Sequence, residues 1–164
     1  MAFNFKDLVT DRSAEDVRHW ERLRNKGFAN MTEEERKEWQ GRKMKGAYNS
    51  GDLNRVGEGL NYLHDKLKEA GYITYQNTFT AKTNWNVTSM PTADDLTHYL
   101  KCVSNVREAM AQFKSTPYAP QNSRGALNFV EANAIEKILL DVETLINNML
   151  AARHYSGDVF AGEI

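Results

Sequence analysis

Two Asp-x-x-His pairs, Asp16 with His19 and Asp95 with His98, are the residues whose types and spacing first suggest chemistry. Side chains three apart share one helix face, and a carboxylate beside an imidazole there makes half of a carboxylate-bridged metal site. Sites of that kind use Glu-x-x-His and two further inward glutamates, whereas both histidines here flank apolar stripes. The structural reading is therefore the stronger, and no metal ligand is assigned. Cys102 is the only cysteine, which excludes an internal disulfide and any multi-cysteine zinc site. It lies beside apolar positions of a helix with no base close in sequence, so it reads as packing rather than as a reactive thiol.

Hydrolytic chemistry has no local signature. There is no Gly-x-Ser-x-Gly turn, no Cys-His constellation and no His-Glu-x-x-His. Glu131, Glu136 and Asp141 fall at spacings that suit a solvated helix face, although two carboxylates on different elements can form a glycosidase pair without any motif. A cell-wall hydrolase is accordingly the third reading. The run Arg36 to Lys45 mixes cations with Trp39, as a strand-binding surface does, but Glu33 to Glu35 and Glu38 offset the charge and the run reads as the wet side of a helix. Gly57-Glu58-Gly59 lies inside a helical pattern without a preceding strand or a third glycine, so no nucleotide or other cofactor is expected. With 21 Lys and Arg against 22 Asp and Glu, no net field favours nucleic acid or an acidic membrane. The start of the chain has no charged residue leading into an apolar run, and nothing approaches membrane-spanning length; synthesis and folding in the cytoplasm are expected.

The elements that must position these residues are helical. A chain of 164 residues suits a single helical domain spanning 1–164. Ser13 with Asp16 opens a short helix that Gly27 stops, and Thr32 with three glutamates opens another, so short helices fill 13–45. From Asp52, Leu53, Val56, Leu60, Leu63 and Leu67 recur at spacings of three and four, with Gly57 and Gly59 placed for close approach of a neighbouring backbone. Tyr72 to Trp85 favours extended structure and reads as a small hairpin or arm over 72–90. Pro91-Thr92 introduces a helix with the stripe Leu96, Tyr99, Leu100, Val103, Val106, Met110 and Phe113. Pro117, Pro120 and Gly125 make 114–128 a loop, and a last helix carries the widest apolar face, from Ile135 to Leu150. The last residues, 155–164, read as an extended tail. The expected fold class is mainly α: an antiparallel helical bundle of three long helices plus short N-terminal helices, with a small extended or β-hairpin arm.

Specific residues carry a family resemblance across nearly the whole chain. Asn30-Met31-Thr32-Glu33-Glu34-Glu35 followed by Trp39, then Met44-Lys45-Gly46-Ala47-Tyr48-Asn49 and Asp52-Leu53-Asn54-Arg55-Val56, resemble proteins encoded among the tail genes of phages and prophages of Gram-positive bacteria. Lys82-Thr83-Asn84-Trp85, Pro91-Thr92, Glu131-Ala132-Asn133-Ala134-Ile135-Glu136-Lys137-Ile138-Leu139 and Tyr155-Ser156-Gly157-Asp158 with Gly162-Glu163 extend it. The resemblance implies a virion-associated structural protein of the tail or baseplate region and brings no catalytic residue with it. Physically, Tyr48-Asn49 is a turn, Asn49 or Ser50 can cap a helix, and Arg55 is placed to pair with a carboxylate on a neighbouring helix.

The resulting expectation is a non-enzymatic component of a phage tail, baseplate or tail-like particle, located in the virion and assembled in the host cytoplasm. Its partners are other tail or baseplate proteins and further copies of itself, with no nucleic acid and no membrane. The partner-binding candidates lie outside the main stripes: Phe3, Phe5, Tyr72, Tyr75, Phe79, Trp85, Tyr118, Tyr155 and Phe160, within the segments Phe3 to Leu8, Tyr72 to Trp85, the Pro117 loop and Val159 to Ile164. The alternative is a glycan-binding module of a tail that recognises the host cell surface through exposed Tyr and Trp.

Overall fold

Among the described residues, the five α-helices all open on the same device. In α1 (Ala14–Lys26), α2 (Glu33–Gly41), α3 (Ser50–Glu69) and α4 (Ala93–Glu108) the caps Ser13, Thr32, Asn49 and Thr92 accept the backbone N–H of Asp16, Glu35, Asp52 and Asp95, whose carboxylates return the bond to the cap's own N–H. Asn128 and Glu131 make the same exchange at the start of α5 (Phe129–Asp158). The two Asp-x-x-His aspartates and Glu131 are thereby occupied as helix starters. The computed structural model describes residues 3–73, 78–89, 91–121 and 127–158, with backbone alone for 153–158. Short 3-10 turns lie at Phe5–Asp7 and Phe28–Asn30, and among the described residues there is no strand, so the chain is mainly α.

Helices α3, α4 and α5 pack against one another in all three pairs. Their shared core is the sequence stripes: Val56, Leu60, Leu63 and Leu67 of α3, Val103 and Val106 of α4, and Ile135, Ile138, Leu139 and Val142 of α5 are all fully buried. Each such side chain contributes about 1.5–3 kcal/mol by leaving water. The predicted stripe of α4 outruns its helix, which ends at Glu108 and leaves Phe113 exposed.

The sense of the helices differs from the antiparallel expectation. Early residues of α3 meet early residues of α5, as when Arg55 reaches Glu136, and later ones meet later ones, as when Gly59 lies against Leu139. The starts of all three long helices, at Ser50, Leu96 and Phe129, surround one cavity. The three therefore run the same way, and each connection must travel back along the helix just completed. The first does so as an extended strap: Asn61 brackets Ala81 by both backbone groups, at 2.8 and 2.9 Å, and Asn54 brackets Trp85 at 2.7 and 2.9 Å. Between them a Cβ on Gly57 would stand 2.5 Å from the Lys82 carbonyl oxygen, which is the close backbone approach expected there. Gly59 instead makes room for the side chains of Leu139 and Phe3.

Two further expectations need correction. The 72–90 segment is no hairpin and no projecting arm among its described residues, because Ile73, Ala81 and Trp85 are buried in the core and cannot leave it without exposing apolar surface. Residues 155–158, expected as extended tail, are the end of α5, while 159–164 lie outside the described residues. Packed at the end where the long helices start, α1 and α2 form a small second layer with Leu23 and Met31 buried and the Trp20 and Trp39 rings stacked at 6.5 Å.

Candidate functional site

A buried knot of four charges sits where the N-terminal segment crosses α3 and α5. Residues 9–12 run beside α5, and Asn133 brackets Arg12 by both backbone groups, at 3.0 and 2.8 Å, just as Asn54 and Asn61 hold the strap. This delivers the Arg12 guanidinium between two carboxylates, 3.2 Å from Asp52 and 2.6 Å from Glu136. Arg55 reaches the same pair, at 2.6 Å from Asp52 and 3.1 Å from Glu136. Glu136 is fully buried and accepts a further bond from the Val9 N–H, while Arg12 donates to the Val9 carbonyl at 2.6 Å. Two cations and two anions cancel, which is what allows charges in this interior. The solvated face expected for Glu136 and Asp141 is thus overturned: Asp141 is also buried, bonded to Thr116 at 2.7 Å and paired with Lys137.

The electrostatics follow from this closure. Burial pulls the Arg55 guanidinium down, but the charges of Glu136 and Asp52 outweigh it and hold the group above its ordinary value. The Tyr48 and Tyr99 hydroxyls meet at 2.6 Å, and burial, reinforced by nearby negative charge, drives both phenols well above the usual range. The Tyr48 ring lies 5.2 Å from the Arg12 guanidinium, adding a cation–π contact to the knot. Each carboxylate of the knot is bonded to both arginines. The expected pairing of Arg55 with a carboxylate on a neighbouring helix is realised in Glu136.

Beside the knot opens a cavity of about 640 Å³, framed by the α1–α2 layer and the starts of α3, α4 and α5. Trp20, Tyr48, Leu53, Val87, Leu96 and Phe129 form its largely apolar walls. Arg12, Arg42 and Lys45 are its charged lining residues, and no carboxylate lines it among the described residues. Lys45 is bridged to Asp11 at 2.6 Å, whereas Arg42 has no carboxylate partner among the described residues. The volume falls within the roughly 300–1,000 Å³ typical of ligand pockets.

The partner-binding candidates divide by burial. Tyr118 is 83% exposed beneath the Arg107 guanidinium at 4.5 Å, and Tyr72 is 40% exposed. Phe3 and Phe5 pack on each other at 4.8 Å, Phe5 on Tyr62 at 5.8 Å and Phe79 on His64 at 4.7 Å, all half-buried against the core. Trp85 is 6% exposed, so it is not the exposed sugar-facing tryptophan expected. Tyr75, Phe160 and the Tyr155 side chain lie outside the described residues. Sequence reading also missed a Cys-His contact: the Cys102 thiol is 3.6 Å from His98 one helical turn earlier. Burial raises that thiol to about 11, so it remains protonated and packed. His19 bonds Glu38 and Arg22, and among the described residues no cluster suits a metal ion. Compared with known proteins, the chain matches no family model, no curated sequence and no solved structure.

Proposed function

We propose that this chain is a non-enzymatic structural component of a phage tail, baseplate or tail-like particle, acting through contacts with other tail proteins and further copies of itself. One observation carries the reading. The polar residues within the tail-protein motifs, Asp52, Asn54, Arg55, Asn133 and Glu136, are consumed by internal bonds that lock the connections onto the long helices. Motifs used in this way specify a rigid body, and a repeated particle part needs such a body. Its exposed apolar residues, among them Tyr118, Val87, Val130 and Phe28, lie elsewhere and are available for neighbours. The test is mass spectrometry of tail particles purified from a host carrying the gene. The chain is expected at a fixed ratio to the tail tube protein, and its absence from intact tails would refute the proposal.

The alternative of a glycan-binding module draws on Tyr118, whose exposed ring under Arg107 offers a flat platform for a sugar. Binding of the purified protein to host cell walls that is lost in Tyr118→Ala, with unfolding unchanged, would favour it.

A further inference from the structure

The cavity where the three long helices start has the opposite chemistry to the end of the chain. Among the described residues its walls are largely apolar, its charged lining residues are all cations, and Arg42 lacks a carboxylate partner, while Val87, also in the lining, is 57% exposed. From Ser156 to Ile164 the sequence has two carboxylates, Asp158 and Glu163, three large apolar residues, Val159, Phe160 and Ile164, and no cation.

Distance decides whose cavity that segment can enter. Phe129, at the start of α5, lines the cavity, and α5 runs on to Asp158. Twenty-nine helical rises of 1.5 Å put its end about 44 Å away. The six residues 159–164 span at most about 22 Å when fully extended. They cannot return to the cavity of their own chain. The geometry points to docking of residues 159–164 of one copy in the cavity of a second copy, with Phe160 between the apolar walls and Glu163 toward Arg42. This contact joins different surfaces of the two copies, so it propagates head to tail and closes into a ring or continues as a filament. It deepens the tail-component reading and rests on it for its biological setting.

The experiment is complementation between two defective full-fold variants, followed by sedimentation. A chain ending at Asp158 keeps the cavity and lacks the segment, whereas Arg42→Glu keeps the segment and carries a reversed rim charge. Circular dichroism first checks that both retain the parent helicity. The parent is expected to self-associate at or below about 1 mM. Phe160→Ala and Arg42→Glu are each expected to weaken association about tenfold or more, the effect typical of a central interface residue. Glu163→Lys added to Arg42→Glu restores it. Mixing the chain ending at Asp158 with a doubly blocked variant, Arg42→Glu with Ala47→Trp, leaves one usable pair, the cavity of the first with the segment of the second, so a one-to-one complex is expected although neither variant associates alone. The truncated chain mixed with Glu163→Lys is expected to associate more weakly, and Arg42→Glu introduced into the truncated chain restores that pairing, which separates charge matching from hydrophobic docking. Trp20, on the cavity wall, should shift its emission to the blue on assembly.

A parent that stays monomeric up to about 1 mM overturns the inference. So does association that survives deletion of 159–164, since another surface must then carry it. A monomeric chain that is nonetheless a constituent of purified tails overturns only this inference. A chain that assembles head to tail but is absent from tails sinks the tail reading and leaves this contact standing.

Discussion

Replacing Glu136 with Gln tests whether the charge knot holds the fold together. The substitution keeps the side-chain volume but removes one of two negative charges, leaving a net positive charge among Arg12, Asp52 and Arg55 at a position with no solvent exposure. The amide also turns one acceptor into a donor where Val9 N–H and two arginines already donate. Breaking a buried pair on one side costs about 3–5 kcal/mol. For a domain of this size each 1 kcal/mol lowers the melting temperature by about 2–4 °C, so a fall of roughly 6–20 °C is expected. Urea unfolding followed by circular dichroism should show a lower midpoint with an unchanged slope. In the double variant with Arg55→Met the two losses should not add, because the second removes a cation that the first has already stranded. A loss below about 1 kcal/mol, or strict additivity with Arg55→Met, would refute the account of the knot as a closed unit.

Acid should loosen the helix starts. Asp16 is held below its ordinary value by the Ser13 hydroxyl and N–H, Asp95 by the Thr92 N–H and hydroxyl, and Glu35 by Lys26 and then the Thr32 N–H. A carboxyl depressed on folding stabilises above its unfolded value of about 4 and loses that contribution as pH falls through the lower folded value. The double variant Asp16→Asn/Asp95→Asn should therefore show a flatter melting temperature against pH in that window, and a slope equal to the parent's would contradict this. Tyr48 and Tyr99, raised by burial, should remain protonated above the unfolded-chain value of about 10, and stability should fall as pH rises past that value. Absorbance at the phenolate band would then show late ionisation coinciding with unfolding, absent from a Tyr48→Phe/Tyr99→Phe variant. Gly57→Ala gains helix propensity of about 1 kcal/mol yet forces a methyl against the Lys82 carbonyl, so net destabilisation of about 1–3 kcal/mol is expected, with Trp85 emission shifting to the red. A stabilised variant would show that the strap is not held against α3.

Local rules made the helix starts readable, because a cap and its partner three residues on are both written in adjacent sequence. Ser13 with Asp16 and Thr92 with Asp95 follow directly, and the apolar spacing from Leu53 to Leu67 identifies the buried face of α3. The knot was legible only in part. Arg55 beside a run of apolar residues implies a carboxylate partner, but that partner lies 81 residues away and the second arginine comes from the other end of the chain. Glu136 looked solvated because charge is ordinarily a sign of exposure, and no periodicity distinguishes a buried acid whose counter-ions arrive from distant segments.

The direction of the helices was open to a length argument that apolar patterning does not contain. Antiparallel neighbours need only a short turn, whereas two helices running the same way need a connection as long as the helix itself. Helix α3 has 20 residues and is about 30 Å long, a span that about nine extended residues can cover. The 23 positions between Glu69 and Ala93 are more than enough, and the 20 between Glu108 and Phe129 serve α4 in the same way. What converts surplus length into a fixed strap is the asparagine side chain, which offers a donor and an acceptor at the spacing of a backbone pair. Asn54, Asn61 and Asn133 each use both groups on an extended segment, so they act as single rungs of a sheet mounted on helices. In α3, asparagines about two turns apart beside the apolar stripe, followed by an extended segment of matching length, are thus the sequence signal for its returning connection.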